Sequence, residues 1–251
     1  MMRCKTGIKG FDELVEGGFP KGSTILIAGD PGTGKTIFGL QFIYNGAVKF
    51  NEKGLYLSLE QTADAIRNQA LQFGWDLKKL EEQGKLKIVS IPVRDISSTT
   101  AREILEMCRN EGIKRLVIDS LSTLAINAPI YATHQELSIR DVIKEDVFFS
   151  PPIMGDMIVK RFIYTFINDL QSLEETTTVL ISESTSYNSF PENALAEFLA
   201  DGVVHISFES MGGTYSRSLL VRKMRQTKND EDLHPLEISK EGLIVHSLEE
   251  N

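Results

Sequence analysis

Apolar residues along this chain recur in two rhythms that take turns. Short, nearly continuous β-prone runs occupy 24–28, 54–60, 86–91, 115–119 and 177–182. Such runs predict strands buried on both faces. Between them, apolar positions recur at helical spacing over 8–15, from Phe38 through Leu40, Phe42 and Ile43, and over 62–73, 76–82, 98–110, 157–173 and 193–199. The clearest stripe is Val159, Ile163, Phe166, Ile167, Leu170 and Leu173, which predicts a core-facing helix. Punctuation agrees with these limits. Gly17-Gly18 and Pro20 close the first helix, Pro92 ends a strand, Gly112 closes a helix, and Ser97, Ser98 and Thr99 are cap candidates. Strands alternating with helices predict an α/β fold with a mainly parallel sheet flanked by helices.

The rhythm changes twice. Residues 127–156, with Pro129, Pro151 and Pro152, fit neither period and read as an insertion, either a surface excursion or a contact with a subunit or partner. After residue 202, the runs 203–208 and 216–221 flank Met211-Gly212-Gly213. The runs 235–238 and 243–246 flank Lys240-Glu241-Gly242. Both pairs predict hairpins, hence a C-terminal antiparallel extension of the sheet.

Length and composition narrow the class. The 251 residues suit one domain carrying that insertion, and the apolar share of 41% supports a core without disulfides. Cys4 and Cys108 read as free thiols of a reducing compartment. No N-terminal apolar run suggests a signal peptide, and no stretch reaches membrane-spanning length, so a cytoplasmic protein without membrane contact is expected. A formal charge of −8 speaks against broad duplex binding. His134, His205, His234 and His246 lack metal-ligand spacing, and neither C-x-x-C nor G-x-S-x-G occurs.

The chemistry centres on Gly29-Asp30-Pro31-Gly32-Thr33-Gly34-Lys35-Thr36, which meets every position of G-x-x-x-x-G-K-[ST] between a predicted strand and a predicted helix. Glycines let backbone N–H groups wrap a phosphate, and the helix N-terminus adds partial positive charge. Lys35 would reach the β- and γ-phosphates, and Thr36 would hold Mg²⁺. The dinucleotide pattern fails, because it would need glycine at Ile37. Asp119, ending an apolar strand, suits the metal-side acid or a turn cap. Glu60, ending another, suits a base for the attacking water or an exposed strand end. Lys223 and Arg225, alternating with Met224, read as a solvated edge or as cations supplied to a neighbour's γ-phosphate. Ser182-Glu183-Ser184 reads as a phosphate sensor or a plain turn.

These residues together resemble the KaiC-like ATPases of the RecA superfamily. The resemblance covers most of the chain. It rests on Thr6-Gly7-Ile8-Lys9-Gly10-Phe11-Asp12-Glu13-Leu14, Gly17-Gly18, Pro20-Lys21-Gly22, the phosphate loop, Leu59-Glu60 and Ile118-Asp119-Ser120. It continues through Leu199-Ala200-Asp201-Gly202-Val203-Val204, Lys223-Met224-Arg225-Gln226-Thr227, His234-Pro235-Leu236-Glu237-Ile238 and Gly242-Leu243-Ile244-Val245. It implies a RecA-like core, ATP with Mg²⁺, and a homo-oligomeric ring, typically a hexamer, with ATP at the subunit junctions. It makes Glu60 the base and Lys223 and Arg225 the pair acting on the neighbour's site. Two departures stand out. The clock protein of this family has two adjacent glutamates where this chain has Glu60-Gln61, which implies slow hydrolysis if both acids are needed. Glu197-Phe198 stands where its second domain is phosphorylated, so neither autophosphorylation nor clock function carries over. The expectation is a Mg²⁺-dependent ATPase regulating its own assembly or a protein partner. The alternatives are a weakly hydrolysing nucleotide-binding module and a recombinase-like DNA-binding ATPase.

Overall fold

In the strands, successive apolar side chains enter two different cores. Ile25 and Ile27 join one cluster while Leu26 joins the other, and Val117 parts company with Leu116 and Ile118 in the same way. That split is what a sheet covered on both faces requires, because side chains alternate along a strand. The computed structural model describes residues 2–97, 99–127, 151–183, 191–211 and 214–248.

The strands are β1 (Arg3–Cys4), β2 (Phe19–Pro20), β3 (Thr24–Gly29), β4 (Gly54–Ser58), β5 (Leu86–Ser90), β6 (Arg115–Asp119) and β7 (Thr177–Glu183), followed by β8 (Gly202–Met211), β9 (Thr214–Met224), β10 (Leu233–Ser239) and β11 (Gly242–Val245). The helices are α1 (Lys35–Lys49), α2 (Ala63–Leu71), α3 (Leu77–Glu82), α4 (Thr100–Glu111), α5 (Leu121–Ile126), α6 (Pro151–Gln171) and α7 (Pro191–Leu199). The main sheet has nine strands in the order β11-β10-β9-β8-β3-β7-β6-β4-β5. Neighbours from β8 to β5 are parallel, and those from β8 to β11 are antiparallel. This is the α/β architecture expected, with its C-terminal antiparallel extension.

Most element limits differ from expectation by a few residues, but three differences have physical causes. The helix expected over 8–15 is a 3-10 turn at Asp12–Val15. Asp12 draws the chain before it into a loop instead, because its carboxylate accepts from the Thr6 and Gly7 N–H groups and the Thr6 hydroxyl. The helix expected from Met157 begins at Pro151, inside the segment 127–156 expected as an insertion. Proline suits a first helical turn, where its missing N–H costs nothing. The short helix α5, not anticipated, follows β6 directly. Residues 128–150 with His134, and also Ser98, Ser184 and the Gly212-Gly213 turn, lie outside the described residues.

The register brings the carboxyl ends of four parallel strands level. Gly29 faces Glu183 on one side and Ile206 on the other, and Asp119 faces Ser58 and Ile181. Ligands of open α/β sheets sit at this edge.

Candidate active site

The loop leaving β3 must turn sharply beside β8. A Cβ on Gly29 would lie 2.0 Å from the Ile206 carbonyl oxygen, so only glycine fits. Gly34, the residue before α1, has φ 112°, again glycine's territory. Pro31 and Gly32 form the exposed tip, and Thr33 is buried and donates its hydroxyl to Asp30 O at 2.9 Å. Lys35 is buried at the start of α1. Its Nζ donates to Gly29 O and Asp30 O, each at 2.8 Å. Burial lowers its pKa, while the carboxylates of Glu183, Asp119, Asp30 and Glu60 work in the opposite direction. The ammonium therefore stands among four acids at the mouth of the sheet.

Asp119 ends β6 and is itself buried. Its Oδ2 accepts from the Thr36 hydroxyl at 2.9 Å and from the Tyr56 hydroxyl at 2.7 Å. Burial nevertheless pushes its pKa up, against the lowering effect of these two hydrogen bonds. A desolvated carboxylate of this kind gains from a nearby divalent cation. Among the described residues, no group of three or more His, Cys, Asp or Glu could hold a metal ion alone. One hydroxyl and one carboxylate suit Mg²⁺, which takes its remaining ligands from phosphates and water. The residues thus fit Mg²⁺ with a nucleotide, and Thr36 and Asp119 would be its protein-side partners.

Glu60 lies two residues beyond β4, not in the strand, and is exposed. The turn carrying it is fixed by its neighbours. Leu59 N–H donates to Asp119 O at 2.7 Å, Gln61 N–H donates to Ser58 Oγ at 3.0 Å, and Ser90 Oγ donates to Gln61 O at 2.8 Å. Glu60 Oε1 accepts from the Ser120 hydroxyl and, at 2.9 Å, from the Thr123 hydroxyl. Ser120 also caps α5 by accepting the Thr123 N–H at 3.2 Å. The first turn of α5 thereby ties Glu60 to the end of β6.

Ser182 is buried, and its Oγ lies 3.2 Å from Ser122 Oγ, which also accepts the Glu183 N–H at 3.1 Å. Ser122 thus joins this strand end to α5.

Lys223 and Arg225 are far from their own phosphate loop. Lys223 faces Val203 near the start of β8, whereas Gly29 faces Ile206 further along that strand. Both cations cap the end of α7. Lys223 Nζ donates to the carbonyls of Glu197, Phe198 and Ala200 at 3.1, 2.9 and 2.6 Å. Arg225 donates to Leu199 O at 3.2 Å, Phe198 O at 3.1 Å and Asp201 Oδ1 at 3.3 Å. Cations are favourable at a helix C-terminus. Burial, and then the charge of Arg225, lower the pKa of Lys223.

The structure therefore gathers the phosphate loop, Asp119 and Glu60, and leaves Lys223 and Arg225 at the opposite edge. Sequence reasoning missed Tyr56, Ser120 and Thr123. Tyr56 had a signal: one polar tip within an apolar strand needs a buried partner. Ser120 had a weaker one, a serine just before a helical turn.

The chain is similar to known proteins along nearly its whole length. The family model described as "ATPase: KaiC" matches residues 4–146 and 151–250. A UPF0273 protein of Methanocaldococcus jannaschii is 33% identical over 98% of this chain and 97% of its own. A UPF0273 protein of Thermotoga maritima is 31% identical, covering 98% of this chain and 97% of its own. The crystal structure of a KaiC-like protein from Pyrococcus horikoshii superimposes with a TM-score of 0.75 at 32% identity, covering 98% of this chain and 99% of the other.

Proposed function

This chain belongs to the KaiC ATPase family, a group of RecA-like nucleotide-binding proteins, and from that premise we propose that it hydrolyses ATP with Mg²⁺ at junctions between subunits of a ring. One observation carries the reading. Lys35 and Thr36, Asp119 and Glu60 converge at one edge of the sheet, with Thr36 hydrogen-bonded to Asp119 and Glu60 held by Ser120 and Thr123.

The loop N–H groups and Lys35 bind the phosphates. Thr36 and Asp119 would hold Mg²⁺, which would supply positive charge to offset that of the nucleotide's phosphates. Glu60 accepts the proton of the attacking water, a role that suits its exposure. Lys223 and Arg225 lie toward the other end of β8 from the loop of their own chain, and in this reading they act on the loop of a neighbour in the ring, exchanging carbonyls at the end of α7 for phosphate oxygens. Gln61 in place of a second acid favours slow turnover and hence a regulatory role in the cytoplasm, exercised through assembly or a protein partner. The net charge of −8 disfavours the recombinase-like alternative.

The test combines phosphate release with light scattering on the same fractions, with and without Mg²⁺-ATP. The expected result is Mg²⁺-dependent release from a ring-sized species. Hydrolysis by a monomer at full specific activity would refute the shared junction. No release in any fraction would refute the ATPase reading.

A further inference from the structure

Tyr56 is fully buried in the middle of β4, between Leu55 and Leu57, which enter the opposite core. Its ring packs under α1, where a Cβ on Gly39 would already be 3.5 Å from Tyr56 Cε2. Phenylalanine would fill the same space. The hydroxyl is what needs explaining, because a buried phenol requires a partner. It has one: it donates to Oδ2 of Asp119 at 2.7 Å, the oxygen that also accepts from Thr36.

We propose that Tyr56 is a positioning residue for the metal site: its buried hydroxyl fixes the Asp119 carboxylate so that the acid and Thr36 present a preformed site for a divalent cation bound with nucleotide. This rests on the Mg²⁺-nucleotide reading above. Two donors on one carboxylate oxygen, one from α1 and one from β4, hold that oxygen from two elements. With Thr36 alone, the carboxylate swings about a single hydrogen bond. Hydrogen-bond partners behind metal ligands commonly alter metal affinity about 10–100-fold.

The test uses the full chain and a fluorescent ATP analogue. Nucleotide affinity is measured as Mg²⁺ is titrated, for wild type, Tyr56→Phe, Asp119→Asn and the double variant, with circular dichroism confirming each fold. In Tyr56→Phe, the Mg²⁺ concentration for half-maximal tightening should rise about tenfold, while affinity in EDTA stays unchanged. In the Asp119→Asn background, Tyr56→Phe should add nothing. An unchanged Mg²⁺ requirement in folded Tyr56→Phe overturns the positioning role and leaves the nucleotide reading intact. A further loss in the double variant also overturns it, since Tyr56 would then act through another group. Wild-type affinity that ignores Mg²⁺ removes the metal reading and this inference together.

Discussion

Thr36 donates its hydroxyl proton to Asp119 across 2.9 Å, joining the first turn of α1 to the end of β6 over a separation of 83 residues. The contact ties the glycine-rich loop to the acid proposed to face the metal. It also requires a carboxylate to stay in a buried place, where burial raises its pKa.

That burial has a measurable cost to the nucleotide-free protein. Because the folded pKa of Asp119 is raised, its stabilising effect is complete below the ordinary carboxylate pKa and is lost as pH rises through the raised value. At pH 7 the ionised form is therefore a liability. Asp119→Asn should melt above wild type at pH 7, by about 2–4 °C for each roughly 1 kcal/mol gained. The gap should close toward pH 4. A variant that melts below wild type at every pH would show that the carboxylate's hydrogen bonds outweigh its desolvation.

Glu60 is exposed and sits on a turn tied to β6, so its neutral amide should leave the fold and nucleotide affinity intact. Glu60→Gln should lower ATP hydrolysis about 10²–10⁴-fold. Single-turnover phosphate release beside equilibrium nucleotide binding separates the two effects. Equal loss of binding and hydrolysis would mean that Glu60 shapes the pocket and does not act on water.

What the sequence disclosed follows from which constraints are local. The phosphate loop was legible because its backbone geometry demands glycines at fixed spacing, as Gly29 and Gly34 demonstrate. Strands β3, β4, β6 and β7 were legible because both faces are buried along nearly their whole length. The start of α6 was not, because Pro151-Pro152 reads equally as a breaker or as a first turn. Helix α5 is too short to show a period. Tyr56 with Asp119, and Lys223 with the end of α7, are partners made by tertiary packing, and no spacing along the chain encodes them.

Arg115 shows how much of this frame depends on one buried cation. It is fully buried, donates to Phe42 O at 2.9 Å and Lys5 O at 2.8 Å, pairs with Glu52 at 2.6 Å and lies over the Phe42 ring. Glu52→Ala leaves that guanidinium without its counter-ion and should cost about 3–5 kcal/mol in urea unfolding. The exposed acid Glu175, which pairs with Lys21 and Lys114, supplies the control, and Glu175→Ala should change little. Similar losses for both would mean that the Arg115 cluster carries no special weight.

The most direct measurement is a mixing experiment on the shared junction. On the proposed arrangement, Lys35→Ala subunits would lack a working loop, and Arg225→Ala subunits would lack the cation offered to a neighbour. Each alone should be nearly inactive. In randomly mixed rings made from equal amounts, about a quarter of the junctions join an intact loop to an intact Arg225. ATPase activity should therefore return to roughly a quarter of the wild-type rate. Activity that stays at the level of the separate variants, in subunits shown by labelling to exchange, would contradict a site completed by a neighbouring copy.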